Sequence, residues 1–365
     1  MDRRTLLIGS GTLIVAGGTA AAVAVKQMGS MDDYEDAVAQ LRAPLAVKPD
    51  DRELIRYATL AANGHNTQPW KFRVRGSSFE ILPDFTRRTA VVDPDDHHLF
   101  ASLGCAAENL MIAGTAANRT SEVRFDSAEG GKVVVEMAAG GNDRSPLFGA
   151  IAKRQSTRAV YDSRPVSSAN LALLSSASQI PGVATILITE RTQMNRIRDL
   201  VMAGNSTQME DKDFVDELKH WVRFNPNDAM KMRDGLFGAC TGNPSSPTWI
   251  GRRIFDFAFR ENSENEKYAG QINGSAGIAV FVAEKNDPEH WVRAGRACQR
   301  FALQATALGL KQAYINQPVE VSKLRAELAA LVGMPGQRPN IVMRFGYGPT
   351  MPMSLRRTVD AVLAV

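Results

Sequence analysis

Two stretches of this 365-residue chain read as copies of one helix, and a chain carrying such a pair has few ways to fold. Leu103-Gly104-Cys105-Ala106-Ala107-Glu108-Asn109-Leu110 aligns with Ala294-Gly295-Arg296-Ala297-Cys298-Gln299-Arg300-Phe301. The match continues through Thr115-Ala116 and Thr306-Ala307. Small residues on both faces imply close helix packing or close approach of a ligand. A strand follows each copy at some distance. Each half also opens with a helix leading to a strand, one ending at Val74 and the other at Thr189. A shared order of elements favours duplication over a chance likeness of composition. A duplicated chain packs as an internal pseudo-dimer, so a monomer that mimics a dimer is expected.

The length leaves room for two cores. The net charge, 43 basic against 39 acidic residues, is +4, and the basic residues are scattered. No basic stretch is interleaved with aromatics, so nucleic acid is not an expected partner. Cys105, Cys240 and Cys298 have neither zinc spacing nor the look of a disulfide framework, and the first and last fall in apolar helical patterns that predict burial.

Residues 1–30 read as a targeting segment. Arg3-Arg4 precedes Leu6-Leu7-Ile8 and a Gly/Ala-rich apolar run to Val25, which resembles a twin-arginine export signal. Ala22-Val23-Ala24 offers small residues for cleavage, while the run is also about long enough to span a bilayer and serve as an anchor. The expectation is a chain handed to the twin-arginine export machinery and left periplasmic or membrane-anchored. Gly9-Ser10-Gly11 is no dinucleotide loop, because no strand precedes it and Ile14 stands where a third glycine belongs.

Gly140 to Ser145 is polar and glycine-rich and divides a first half, 31–145, from a second, 146–365. Periodicity predicts first-half helices over Asp32–Gln40, Glu53–Ala62 and Leu99–Asn118, with strands from Phe72, at Ser78–Leu82 and at Val133–Met137. The second half opens with Leu147–Arg158. A helix capped by Ser167-Ser168 reaches Ser178, and the helix from Met194 ends at Ala203-Gly204-Asn205. Residues 225–271 are irregular apart from an aromatic helix over Ile250–Phe259; an excursion of that length is often a lid or binding loop. Strands at Gly277–Ala283, Ala313–Ile315 and Asn340–Gly346 and a helix over Trp291–Leu308 follow. Asp93-Pro94-Asp95-Asp96-His97-His98 reads as helix capping, not a metal site, because adjacent histidines on a helix point about 100° apart. No Gly-x-Ser-x-Gly or His-Glu-x-x-His motif is present, so neither an acid–base triad nor a metal centre is expected.

Arg154-Gln155-Ser156-Thr157-Arg158 offers two guanidinium groups and two hydroxyls within five residues. In a helix, Arg154 and Arg158 would share a face at i and i+4. Two forked cations suit a phosphate or a polyoxygenated ring edge, though a solvated basic helix end is the stronger account of the residues when they are taken alone.

Together with Asn66-Thr67-Gln68-Pro69-Trp70, that stretch resembles the two signatures of the flavin-dependent nitroreductase superfamily. The twin-arginine start, the duplicated plan and the Arg-Phe-Gly-Tyr ending followed by Arg356-Arg357 resemble its Acg-type branch. The resemblance implies a duplicated α+β fold, with two mixed or antiparallel sheets flanked by helices. It also implies one FMN site per chain, since each half keeps only one signature. Arg154 and Ser156 would then hold the phosphate and ribityl end. Arg158 would lie near N1 and the C2 carbonyl, where reduction places negative charge. Asn205 would meet the pyrimidine ring, and Asn316 and Gln317 the region of N5. Asn66 and Gln68 would come from the opposite half, and Arg356 and Arg357 would close on the phosphate. Trp70 is expected to pack in the core. The implied activity is an FMN-dependent oxidoreductase that accepts hydride from NAD(P)H, or electrons from a membrane donor, and passes them to a quinone, nitroaromatic or similar acceptor. The alternative is a protein that stores or sequesters FMN beneath the 225–271 lid without turnover.

Overall fold

The computed structural model describes residues 28–141 and 145–364. The targeting segment predicted for residues 1–30 therefore lies almost wholly outside the described residues.

In the first half, α1 (Met31–Leu41) and α2 (Asp51–Thr59) precede the hairpin β1 (Trp70–Arg75) and β2 (Ser78–Pro83). The long helix α3 (His97–Ala116) is followed by β3 (Arg119–Asp126) and β4 (Lys132–Ala139). Ser30 caps α1 and Asp50 caps α2, each accepting backbone N–H groups of the first turn. In the second half come α4 (Ser168–Ala177), β5 (Val183–Ile188), α5 (Arg191–Glu210) and α6 (Lys212–Trp221). An excursion then holds the two-residue strands β6 (Val222–Arg223) and β7 (Leu236–Phe237), with α7 (Pro226–Met232) between them, and continues through α8 (Thr248–Ala258) and α9 (Glu261–Asn273). The half closes with β8 (Gly277–Ala283), α10 (Pro288–Ala307), β9 (Lys311–Tyr314), α11 (Arg325–Leu331) and β10 (Pro339–Gly346).

The duplication is written in the sheets. One runs β1-β2-β4-β3 and the other β5-β8-β10-β9, and every pairing in both is antiparallel. Matching β1 with β5, β2 with β8, α3 with α10, β3 with β9 and β4 with β10 gives the same order twice. The excursion from α5 to α9 is extra, inserted between the partners of the β1–β2 hairpin. Both sheets cover themselves with the repeated helix, and β8 and β10 are buried along their full length.

The repeated helices meet each other. A Cβ placed on Gly104 would lie 2.0 Å from the Val292 carbonyl oxygen, and one on Gly295 would lie 1.9 Å from that of Ala101. Gly104 aligns with Gly295, and Ala101 with Val292, so the contact is reciprocal, as across a two-fold axis. Only glycine lets the two backbones approach this closely. Glu108, fully buried, bridges the seam by accepting from Arg296 Nε at 2.9 Å and Arg300 Nη1 at 2.7 Å. Gln299, its counterpart, donates to Asn109 Oδ1 at 2.7 Å and accepts from the Ala62 N–H at 3.2 Å.

Several sequence expectations need correction. Residues 154–158 are not helical: the helical turn before them covers only Phe148–Ile151, and Ser156 bridges in parallel to Gln312 on β9. The helix from Arg191 does not stop at Gly204-Asn205 but runs to Glu210, because Gly204 packs against the Gln317 side chain instead of turning. β3 went unseen, since its half-exposed alternation and four charged residues hide an edge strand. The chain also interleaves its halves: Leu363 bridges in parallel to Phe72, and the Ala364 N–H donates to the Phe72 carbonyl at 2.8 Å. Cys105 and Cys298 are buried as expected, and Trp70 is fully buried in the core.

Candidate functional site

The turn between α2 and β1 is strained. His65, Asn66 and Gln68 all adopt positive φ, at 46°, 55° and 54°. Side chains avoid that region unless the surroundings hold them there. Here the excursion and the C-terminal tail do so. Asn66 Nδ2 donates to the carbonyls of Gly235 at 3.1 Å and Leu355 at 3.2 Å, and the Gly235 N–H returns to the Asn66 carbonyl at 3.2 Å. Gln68 Nε2 donates to the Arg233 carbonyl at 2.9 Å, and its Oε1 accepts the Arg357 N–H at 2.7 Å. Gln68 is thereby consumed in holding the turn, while Asn66 Oδ1 is buried with no partner.

Residues 154–158 run extended along β9, with the Thr157 N–H donating to the Gln312 carbonyl at 2.8 Å. In extended chain, side chains alternate, so Arg154, Ser156 and Arg158 share a face. The helical reading would put the two arginines on one face by a different period; alternation in extended chain adds Ser156 between them. The buried Arg344 donates to the carbonyls of Thr157 at 3.1 Å and Ala159 at 2.9 Å and lies 4.0 Å from the Tyr161 ring centroid, which fixes the backbone on either side of Arg158.

Three guanidinium groups then gather behind the turn. Arg154 Nη2 donates to the Leu60 carbonyl at 2.9 Å, and Arg356 Nε to that of Thr59 at 2.9 Å. These are the orphan carbonyls at the C-terminal end of α2, the partially negative end of the helix. Arg42 Nη1 donates to the Ala152 carbonyl at 2.8 Å. Burial, followed by the charges of Arg42 and Arg154, holds the Arg356 guanidinium well below the usual arginine range. Burial and the neighbouring Arg154 push Arg42 down to about 10. The chain's buried ion pairs run elsewhere, with Arg223 on Asp234 and Arg296 and Arg300 on Glu108. Among the described residues no carboxylate pairs with Arg42, Arg154, Arg158 or Arg356, and the Nε atoms of Arg42 and Arg154 are buried without a partner.

Arg357, also expected on a phosphate, turns the other way: it lies 3.6 Å from Asp84 and reaches the Gln68 and Ala361 carbonyls. Asn205 donates to Asn265 Oδ1 at 2.8 Å, and its neighbour Gly204 packs on Gln317, whose Oε1 is buried and unpartnered. The Asn316 side chain accepts the Val342 N–H at 2.9 Å, a structural bond that sets the turn holding Gln317. The structure thus brings Asn66, Arg154 and Arg356 together around the end of α2 and the turn that follows it, with Arg158 close enough to His65 to act on it, while Asn205 lies on α5 and Gln317 follows β9.

Sequence reasoning missed four groups there. Arg42 follows α1 much as Arg154 follows its own helical turn, and extending the repeat upstream of β1 and β5 would have paired them. His65 is pushed down to about 4, first by burial and then by Arg158. Burial raises Glu320, which accepts from Gln208 Nε2 at 2.7 Å, and pushes Tyr268 up to about 12. Asp93 does cap α3, its two oxygens accepting the N–H groups of His98 and Leu99 at 3.0 Å. The histidines are closer than expected, however: ligand atoms of Asp93, His97 and His98 lie within 4.8 Å of one another. His97 Nε2 already meets the Asn340 amide at 3.1 Å.

The sequence profile of the nitroreductase family matches residues 151–347, more than half of the chain. The chain belongs to the nitroreductase family. It is an oxidoreductase of nitroreductase type. The profile spans the second half, with its inserted excursion, and leaves the Asn66–Trp70 signature outside. Among its relatives is a Mycobacterium tuberculosis protein named as an NAD(P)H nitroreductase, 27% identical over 86% of this chain and 90% of its own. The Acg nitroreductase of the same organism is 21% identical over 86% of this chain and 95% of its own. A solved nitroreductase with bound FMN from Desulfitobacterium hafniense superposes with a TM-score of 0.39 at 19% identity, covering 60% of this chain and 98% of that one.

Proposed function

We propose that this nitroreductase-family chain binds one FMN between its halves and uses it to carry electrons from a reduced nicotinamide to a quinone, nitroaromatic or similar acceptor. The observation that carries the proposal is the cluster of Arg42, Arg154 and Arg356. Arg154 and Arg356 are buried and Arg42 is half-buried beside them, and such a gathering of cations is costly unless an anion joins it. Two free Nε atoms at the cluster fit the several acceptor oxygens of a phosphate. Ser156 lies on the same face and suits the ribityl end. Arg158, with no partner of its own among the described residues, suits the ring edge that gains negative charge. Gln317, Asn205 and the free Oδ1 of Asn66 supply amides that read ring heteroatoms. FMN, when bound, supplies the two-electron chemistry. The protein's part is to orient the ring, hold a fixed cation at Arg158 and keep His65 neutral at ordinary pH, so that it adds no second charge there.

A second reading, a lidded store for FMN, rests on one observation. The excursion supplies the carbonyls of Arg233 and Gly235 that hold Gln68 and Asn66, and Cys240 lies buried beside Tyr34, with their hetero atoms 3.7 Å apart. That segment therefore touches the turn that carries Asn66 and Gln68. Relatives named for NAD(P)H support the first reading, and an exported location would favour a membrane donor. Anaerobic addition of NADPH to the flavin-loaded protein, with and without a quinone, tests both. Bleaching followed by quinone-dependent recovery is expected; a flavin that stays oxidised leaves the storage reading. Arg42→Met is expected to weaken FMN binding at least tenfold in a fluorescence titration, and unchanged affinity refutes the phosphate assignment.

A further inference from the structure

Helix α8 is a part of the fold that the proposed FMN site does not use. It reads Thr248-Trp249-Ile250-Gly251-Arg252-Arg253-Ile254-Phe255-Asp256-Phe257-Ala258. Gly251 alone is buried, lying flat on the Phe224 ring. Trp249, Ile254 and Phe257 are 64%, 53% and 77% exposed, and Met232 on α7 adds a fourth exposed apolar side chain nearby in sequence. At 100° per residue, Trp249, Arg253 and Phe257 form one row, and Ile250, Ile254 and Ala258 form the row beside it. Arg252 and Arg253 are exposed and form no ion pair among the described residues, whereas Asp256 is neutralised by Lys219. Arg260 lies 5.5 Å from the Phe257 ring centroid. Arg252 borders the exposed apolar side chains, and Arg253 stands in the row between Trp249 and Phe257, where its long stem lets the guanidinium reach out to headgroups, a pattern suited to a helix that lies in a lipid interface.

The place where the chain enters the described fold chooses among occupants. The Met28 carbonyl accepts the Asn227 N–H at 2.8 Å, and Gly29 packs on Asn227. One turn away, Asn225 Nδ2 donates to Thr248 Oγ1 at 3.1 Å and Asp228 accepts from the same hydroxyl. The apolar run that ends at Val25 in the sequence therefore joins the fold beside the first residue of α8. The first described residues, Met28 and Gly29, thus lie close to the start of an exposed aromatic, basic helix.

We infer that α8 docks on an anionic phospholipid surface, with Trp249, Ile254 and Phe257 in the acyl boundary and Arg252, Arg253 and Arg260 on the headgroups. This goes beyond the proposed FMN chemistry and does not depend on it. The excursion that carries α8 also holds Asn66 and Gln68, so the surface contact and the site share an element.

The test uses the full chain reconstituted in vesicles containing brominated phosphatidylglycerol. Tryptophan quenching that disappears in Trp249→Phe is expected. Arg252→Glu/Arg253→Glu should cut that Trp249-dependent quenching at least tenfold while the chain remains with the vesicles and retains its circular dichroism. Unbrominated phosphatidylglycerol provides the baseline, and brominated phosphatidylcholine should quench weakly. Quenching that is unaffected by Trp249→Phe overturns the inference. So does a Phe257→Glu-sensitive dimer in sedimentation, which would assign the face to a second copy of the chain.

Discussion

Replacing Gly104 with alanine puts a methyl carbon 2.0 Å from the Val292 carbonyl oxygen. A carbon and a carbonyl oxygen settle no closer than about 3.3 Å, so α3 and α10 must part by more than an ångström along a seam with no slack. The obstructing atom is backbone, so no side chain can swing aside. Overpacking of this kind costs typically 1–3 kcal/mol and more where nothing relaxes, so about 3 kcal/mol is expected for Gly104→Ala. Gly295→Ala meets the Ala101 carbonyl in the two-fold-related place and should cost the same. Once one methyl has parted the helices, the second finds part of its room made, so the double variant should lose about 1 kcal/mol less than the sum. Urea unfolding of the two single variants, the double variant and the parent closes the cycle. Strict additivity, or a single-variant loss below about 0.5 kcal/mol, refutes the reciprocal contact.

Other outcomes follow from the same seam and site. Glu108→Gln leaves Arg296 and Arg300 without a carboxylate and should lower stability by about 3 kcal/mol, read as an earlier denaturant midpoint. His65 has a folded-state value near 4 against 6.5 in the unfolded chain, so the unfolded state binds more protons between those values. Its contribution to stability is complete above pH 6.5 and is lost as pH falls toward 4. His65→Asn, which tolerates the left-handed backbone, should flatten the dependence of unfolding midpoint on pH in that window, and an unchanged slope refutes the assignment. Arg158→Ala should weaken FMN binding in a titration and lower the flavin's reduction potential, by removing a cation from the ring edge. Loss of affinity with an unmoved potential would place Arg158 at the phosphate instead.

The repeat made the architecture legible. Alanine and glycine at matched positions announced two helices that meet, and the order of flanking elements announced matching sheets. Period-two alternation gave most strands but not β3, whose polar face looks like loop. Residues 154–158 were given the wrong shape, because a basic pentad has no apolar neighbours to set its period. Arg42 stayed hidden because only its counterpart carries the neighbouring serine and second arginine. His65 and Glu320 stayed hidden because a lone histidine or carboxylate shows in sequence neither its burial nor what lies opposite it.

Glu108 and Gln299 occupy equivalent places in the two repeats, yet only one carries charge. The seam therefore accepts one arrangement of partners. Two first halves brought together would set each Glu108 against Cys105 and Asn109 and bury two carboxylates with no cation. Two second halves would set Arg296 and Arg300 against their own copies around a neutral Gln299. Only unlike halves satisfy every group, and the chain supplies one of each. The broken symmetry acts as an address: it selects unlike pairing over exchange of like halves between neighbouring chains during assembly.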